Sequence, residues 1–386
     1  MKILLIGNLC DDKWIGSLIR NLKAKTNIEI DFFHVSALVN YFSDASQLCD
    51  NVYSATRCFP SFLYKIPKLG LLLSLADVPI SLNKFLKSKA NERFYDIINI
   101  HYPQNKVLRC WKNLKHITKA TVITPWGSEV LRISTFAQKI MANYITHYDY
   151  VMSSDNPRFK SQMQSILRIP AEKFLQCDFG SEMIDELCKS TISKSEAKSH
   201  FGIDNQYTIV CGYNAGIAQN HIKIIDAIAQ VKDKLPKNIM IVLPMTYNIN
   251  HSYMAEVERK LIGYKLNYII LKKYLSNADM VCLRKCADMF VHAQNTDANS
   301  VSLAEHLLCD NVVVNASWLR YENREIWGIP YYLFDTFEEL PGTIENAYKG
   351  GSIVPEQLKK SIASEGWNSV INKWIDIFTS ISKDKK

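Results

Sequence analysis

The chain has 386 residues, of which 47% are hydrophobic and 22% charged. This composition excludes a disordered polymer, and the length suits two domains of the usual ~100–200 residues. The formal net charge of +8 is concentrated: residues 51–150 hold 14 Lys and Arg against 5 Asp and Glu, and the other 286 residues hold 32 against 33. Such a window points either to an anionic partner (membrane headgroups, phosphates or nucleic acid) or to a run of solvated lysines.

The apolar run Ile3–Ile6 stops at Gly7-Asn8 and predicts a buried parallel strand ending in a loop. Trp14, Ile15, Leu18, Ile19 and Leu22 then recur at helical spacing. Further strands are predicted at Ile28–Val35, Asp96–His101, Thr121–Pro125 and Asp149–Ser153, with helical patterns at Leu82–Arg93, Val107–Ile117, Val130–Ile145 and Pro157–Leu167. Residues 44–82 have no clear period. After a short connecting helix at Ser193–Gly202 the alternation restarts. Strands are predicted at Tyr207–Gly212, Asn238–Leu243, Tyr268–Leu271, Met289–Ala293 and Val312–Asn315, with helices at His221–Lys234, Tyr253–Leu261, Ala278–Lys285 and Ser302–Leu308. An amphipathic helix at Trp367–Ile381 closes the chain. Strands alternating with helices predict two doubly wound α/β units, with ligands at the carboxyl ends of the strands and an interdomain cleft as the expected site.

The ten cysteines are scattered, several inside apolar runs, and no metal-ligand spacing appears among them, so reduced thiols and no zinc are expected. The apolar start is short and meets Asp11 and Asp12, which does not fit a secretory signal. Leu69–Leu82 is about 14 residues long, against the roughly 20 needed to cross a bilayer, and contains Asp77 and Pro79. A cytoplasmic chain is expected, with this stretch able to lie on a membrane.

Phe290–Tyr321, FVHAQNTDANSVSLAEHLLCDNVVVNASWLRY, is the most informative segment. A strand ends near Ala293, a polar loop follows, and a helix begins near Asn299, Ser300 and Ser302. Free backbone amides at a helix start favour an anion such as a diphosphate. Asp297 and Glu305 flank that start and could grip hydroxyls on either side of the anion. Alternatively, Asp297 caps the helix and Glu305 is solvated. Thr208–Ile225, TIVCGYNAGIAQNHIKII, offers a second helix start, with Asn214 in the loop and His221 and Lys223 in the first turn. Both of those are also ordinary helix-surface residues. In the first unit, TPWGSE at 124–129 closes one strand and NIHYPQ at 99–104 another. Glu129 is either an ion-pair centre or a group that orients or deprotonates an acceptor hydroxyl. His101 has the same option beside that of a satisfied strand-end histidine.

The acid-x7-acid spacing, the small apolar helix after it and the strand at Asn311–Val314 resemble retaining glycosyltransferases of family 4. That family carries glutamate at both positions, and Asp297 departs from it at the first. The resemblance implies a GT-B fold, α/β, with an acceptor-binding Rossmann-like domain at 1–190, a nucleotide-sugar-binding domain at 191–364 and a helix at 365–386 returning to the first. It implies that Asp297 contacts the donor sugar and Glu305 the ribose. The diphosphate falls to His221, Lys223 and the helix starts, since the loop lacks the arginine many members have. Gly7 and Asn8 take the place of a donor-approaching glycine loop, though any α/β protein can turn there. TPWGSE is similar to the family's His-Gly-Ser-acid corner, with Trp126 in place of His. The segment after Tyr268–Leu271, with Lys272 and Lys273, lies where relatives contact the nucleobase. LPMTYNINHSYMAEV at 243–257 also resembles bacterial 4-acetamido-4,6-dideoxygalactose transferases.

The expected partners are a nucleotide-sugar donor and a glycan or lipid-linked acceptor, in bacterial surface polysaccharide synthesis with retention. No metal or other cofactor is expected. Residues 62–93, with Lys65, Lys68, Lys84, Lys87, Lys89 and Arg93 around an apolar stretch, are expected to dock on the anionic inner face of the cell membrane. A nucleotide-sugar epimerase on the same scaffold is the alternative. A nucleic-acid binder is disfavoured, as no recognition motif of that kind is present.

Overall fold

The computed structural model describes residues 1–37, 42–89, 94–154, 156–297 and 299–384. Arg93 therefore lies outside the described residues. The chain divides into two compact units, Met1–Gly180 with Trp367–Lys386, and Ser181–Gly366. The sequence boundary at 190 falls ten residues later than this division. The helix Glu182–Lys189 belongs to the second unit because Ile184 enters its core and Met183 and Leu187 pack on Val281.

The first unit is built on a seven-stranded sheet in the order β3-β2-β1-β4-β5-β6-β7. The strands are β1 (Lys2–Gly7), β2 (Glu29–His34), β3 (Asn51–Ser54), β4 (Tyr95–His101), β5 (Thr118–Thr124), β6 (Tyr150–Ser153) and β7 (Phe174–Gln176). All neighbours are parallel. The second unit carries six strands in the order β10-β9-β8-β11-β12-β13: β8 (Tyr207–Cys211), β9 (Ile239–Pro244), β10 (Tyr268–Leu271), β11 (Met289–His292), β12 (Val312–Ala316) and β13 (Tyr331–Phe334). These too are all parallel. Central strands covered by helices on both faces need apolar side chains in both directions, hence the unbroken runs of Ile and Val. Each sheet reverses its winding once, between β1 and β4 and between β8 and β11. Those switch points are where loops diverge and leave room for a ligand.

The helix Trp367–Asp384 completes the first unit. Trp367, Ile371, Trp374, Phe378 and Ile381 are buried with Ile3, Leu5, Ile97 and Val122, and the Trp374 indole Nε1 donates to the Asp178 carbonyl at 2.9 Å. Residues 67–88 form one helix of 22 residues, Pro67–Ser88, where the sequence suggested an apolar stretch followed by a separate helix from Leu82. By length and composition that helix could cross a membrane. Its second half, through Val78, Leu82 and Leu86, is buried in the first unit, and Asp77 inside it accepts from the Tyr64 hydroxyl at 2.6 Å and the Cys58 amide at 2.9 Å. All ten cysteines are free thiols.

Candidate functional site

In the second unit, β8 and β11 lie side by side, so the segments following them are neighbours despite some 75 intervening residues. Asn220 joins them. It sits in the left-handed region (φ +58°), which asparagine tolerates. Its side-chain amide donates to the Ala293 carbonyl at 2.7 Å and to Asn295 Oδ1 at 2.8 Å. Gln294 is a second tie: its Oε1 accepts from the Tyr213 hydroxyl at 2.6 Å and from the Gln219 amide, and its carbonyl accepts from Trp318 Nε1 at 2.9 Å. Asn214 caps its own turn, accepting from the Gly216 amide at 2.7 Å. The structure thus ties the loop before His221 to the end of β11, from which the segment carrying Asp297 and Glu305 leaves, at the switch point.

The helix Val301–Leu308 is capped by Ser300, whose hydroxyl accepts from the Leu303 amide at 3.2 Å. Asp297 is therefore not the cap. Its half-buried carboxylate Oδ2 lies 3.7 Å from His292 Nε2. His292 is fully buried, and its Nδ1 faces Asn315 Oδ1 at 2.9 Å. Burial lowers the His292 pKa, against the opposing pull of Asp297. Asn299 stands half-buried in the same loop, and the Ser302 hydroxyl is buried without a hydrogen-bond partner.

Glu305 is not solvated. It is 2% exposed, and its Oε2 accepts from Nε of Arg284, itself 3% exposed, at 2.7 Å. Arg284 continues to His306 Nε2 at 3.4 Å, and Asn311 ties the Arg284 carbonyl and the His306 ring together at 2.7 Å each. Burial, with the Arg284 charge beside it, holds His306 well below its usual pKa.

Burial disfavours the charged form of His221. It is fully buried, and desolvation takes its pKa down to about 4. Its ring lies under the β8 turn, where Gly212 has φ +64° and an added Cβ would sit 2.8 Å from His221 Nε2. Lys223 is exposed, with its ammonium 4.2 Å from the Phe337 ring centroid, a cation–π contact. Lys272 faces Glu258 at 3.5 Å on the surface.

In the first unit, Gly7 ends β1 in close contact: a Cβ there would meet Ile15 Cδ1 at 2.7 Å and the His101 Cβ at 3.3 Å. Asn8 is exposed, its side chain accepting from the Cys10 amide at 3.3 Å. His101 is buried at the end of β4, stacked on Trp374, with neither ring nitrogen hydrogen-bonded, so it is not a satisfied strand-end histidine. Burial depresses its pKa to about 3. Among the described residues Glu129 forms no ion pair, so the ion-pair reading does not hold. Its Oε1 accepts from the Trp126 amide at 2.6 Å, its Oε2 has no partner, and desolvation raises its pKa to about 7. Half-buried Trp14, Tyr102, Trp126 and Phe179 gather around this edge with ring centroids 5.6–6.2 Å apart.

Sequence reasoning missed Arg284, His292, Asn220 and Gln294. Arg284 and Asn220 act on residues 21 and 73 or more positions away, which spacing does not reveal. His292 could have been singled out as an imidazole in an otherwise apolar strand. Among the described residues, no group of three His, Cys, Asp or Glu side chains is arranged to hold a metal ion.

The sequence matches no protein-family model and no curated protein. Solved structures do match over nearly the whole chain. HepE from Anabaena, crystallised in complex with UDP, superposes with a TM-score of 0.70 at 16% identity, covering 98% of this chain and 100% of that one. A glycosyltransferase from Rickettsia africae gives 0.71 at 14%, covering 99% of each chain. Sucrose-phosphate synthase from Thermosynechococcus elongatus gives 0.72 at 12%, again over 99% of each. With two parallel, doubly wound units in tandem and these neighbours over its full length, the chain has the GT-B fold.

Proposed function

We propose that the protein is a glycosyltransferase that moves a sugar from a nucleotide sugar to a glycan or lipid-linked acceptor, in bacterial surface polysaccharide synthesis. The observation that carries this reading is the joining of two loop–helix segments at the switch point of the second sheet. In the structurally similar HepE, complexes with UDP and with UDP-glucose are known. In this reading the helix starts near His221 and Val301 hold the diphosphate through backbone N–H groups, with Lys223 supplying charge. Asp297 orients the sugar. Arg284 fixes Oε2 of Glu305, and Oε1 is the oxygen we assign to the ribose. The likeness of this loop and helix to retaining family 4 enzymes supports retention. Catalysis then rests on stabilising the departing diphosphate, and the reading invokes no metal.

A thermal-shift panel of nucleoside diphosphates tests it, followed by mass spectrometry of candidate donors with acceptor. At 100 times Kd a ligand stabilises by about 2.7 kcal/mol, a shift easily read. NMR of the product gives the anomeric configuration. No response to any nucleoside diphosphate would refute the reading. An epimerised donor without acceptor would favour the epimerase.

The same proposal places the enzyme on the inner face of the cell membrane. Leu71 and Leu72 are 65% and 63% exposed, and Phe62, Ile66 and Leu75 beside them are also exposed. Lys65 and Lys68 stand among them, solvent-facing. Apolar side chains ringed by lysines match an anionic lipid surface, at roughly 1 kcal/mol per basic residue. Co-flotation with phosphatidylglycerol vesicles but not with phosphatidylcholine vesicles is expected. Equal recovery with both, or none, would remove the membrane from the reading.

A further inference from the structure

Asp297 has a partner whose hydrogen can be placed. The Asn315 side-chain nitrogen donates to two carbonyls, of Ala316 and Leu319, each at 3.0 Å. That fixes the amide's orientation and turns its Oδ1 toward His292 Nδ1 at 2.9 Å. An amide oxygen only accepts, so Nδ1 carries a hydrogen. In the neutral ring, Nε2 then presents a lone pair. It is buried, has no hydrogen-bond partner, and faces the Asp297 carboxylate at 3.7 Å. Two acceptors facing each other leave the fully buried one, Nε2, unpaired, which is unfavourable. One more proton converts the contact into a charge-assisted hydrogen bond.

Among the described residues no other group supplies that proton's counter-charge. Tyr213 and Tyr321 pack on the His292 ring at 6.0 and 6.3 Å, and burial keeps both phenols protonated. His306, on the next helix, stacks on Phe290 and is held neutral beside Arg284, whose charge is matched by Glu305. Asp297 is thus the one anion facing Nε2 among the described residues.

We propose that His292 is the positioning residue for Asp297, and that the pair takes up one proton when an anionic nucleotide binds the adjoining helix start. Asn315 sets the tautomer. The incoming negative charge favours the protonated ring, and the new hydrogen bond clamps the carboxylate in place. The proton comes from solvent and is returned to it when the nucleotide leaves, so no bond other than N–H is made or broken.

This inference rests on the proposed function, and the test separates the two. Titration calorimetry of UDP-glucose and UDP at pH 7.5, in buffers of different ionisation enthalpy, reads proton uptake directly. Uptake approaching one proton is expected for the wild type, and none for His292→Gln or His292→Phe. The glutamine retains an N–H toward Asp297 and should keep kcat within about tenfold of the wild type. The phenylalanine keeps the packing but has no donor and no site for the proton, so it should lose at least a hundredfold in kcat and, by linkage, about tenfold in nucleotide affinity at pH 7.5. Wild-type binding with no proton uptake would overturn this inference while leaving the function intact, as would a phenylalanine variant of normal kcat. A wild type that binds no nucleotide would overturn both.

Discussion

Replacing Glu305 should cost stability as well as activity, and the two losses should be separable. Glu305 and Arg284 are both within 3% of complete burial, with 2.7 Å between Oε2 and Nε. Removing one member of such a pair leaves a desolvated charge, at about 3–5 kcal/mol. That is a large share of the 5–15 kcal/mol that holds a domain together. With a urea m-value of about 2–3 kcal/mol/M, Glu305→Ala should lower the midpoint by roughly 1–2 M. Replacing both members by apolar side chains of similar volume is commonly neutral, so the double variant Glu305→Leu, Arg284→Met should recover most of the midpoint. It should remain inactive, because no carboxylate faces the ribose. Urea melts followed by far-ultraviolet circular dichroism, with parallel transfer assays, measure both. A Glu305→Ala midpoint within 0.3 M of wild type (~1 kcal/mol) would refute the buried-pair argument. Activity in the double variant would refute the ribose assignment.

Glu129 should make stability fall with rising pH. Its folded pKa of about 7 lies above the usual 4.5, so the native state holds more protons between those values, and up to about 3 kcal/mol is lost as pH climbs through the window. Glu129→Gln should remove that slope; melts at pH 5 and pH 7.5 that shift equally in both proteins would contradict it. His101, with its folded pKa near 3, acts oppositely, so its native ring resists protonation and stability declines as pH drops below about 6.5. A His101→Phe variant should therefore flatten the acid limb of the same melts. Gly212→Ala should destabilise by about 1–3 kcal/mol, combining a left-handed φ with a Cβ 2.8 Å from His221 Nε2; a neutral thermal melt would count against that packing. Leu71→Glu with Leu72→Glu should abolish vesicle flotation while leaving the melting temperature within about 2 °C, since neither side chain is buried.

The central strands were legible because burial on both faces forces an apolar run, as in Ile3–Ile6 and Val312–Val314. The strands missed were β3, β7 and β13. All are sheet edges of three or four residues, as in Asn51–Ser54 and Phe174–Gln176, where one side is free and polar residues are tolerated. The helix Pro67–Ser88 was divided in two because Asp77 and Pro79 interrupt its apolar pattern, whereas Asp77 is satisfied by Tyr64 and Cys58 from outside the helix. At the site, the loop–helix segments were legible because their chemistry is local to the chain. The partners that set the state of each group were not. The lone pair of His292, the guanidinium beside Glu305 and the desolvation of His221 all arise from tertiary packing.

The first unit is discontinuous, since its core includes Trp367, Ile371, Trp374 and Phe378 from the last helix. During synthesis, Gly180 is made 187 residues before Trp367. At ~5–20 residues per second, that is a delay of about 10–40 seconds. Throughout it, Ile3, Leu5, Ile97 and Val122 are without the side chains that finally cover them, and by its end the second unit has its whole sequence while the first does not. The order of completion is therefore the reverse of the order of synthesis, and a nascent chain held just short of residue 367 should present that uncovered apolar surface to chaperones.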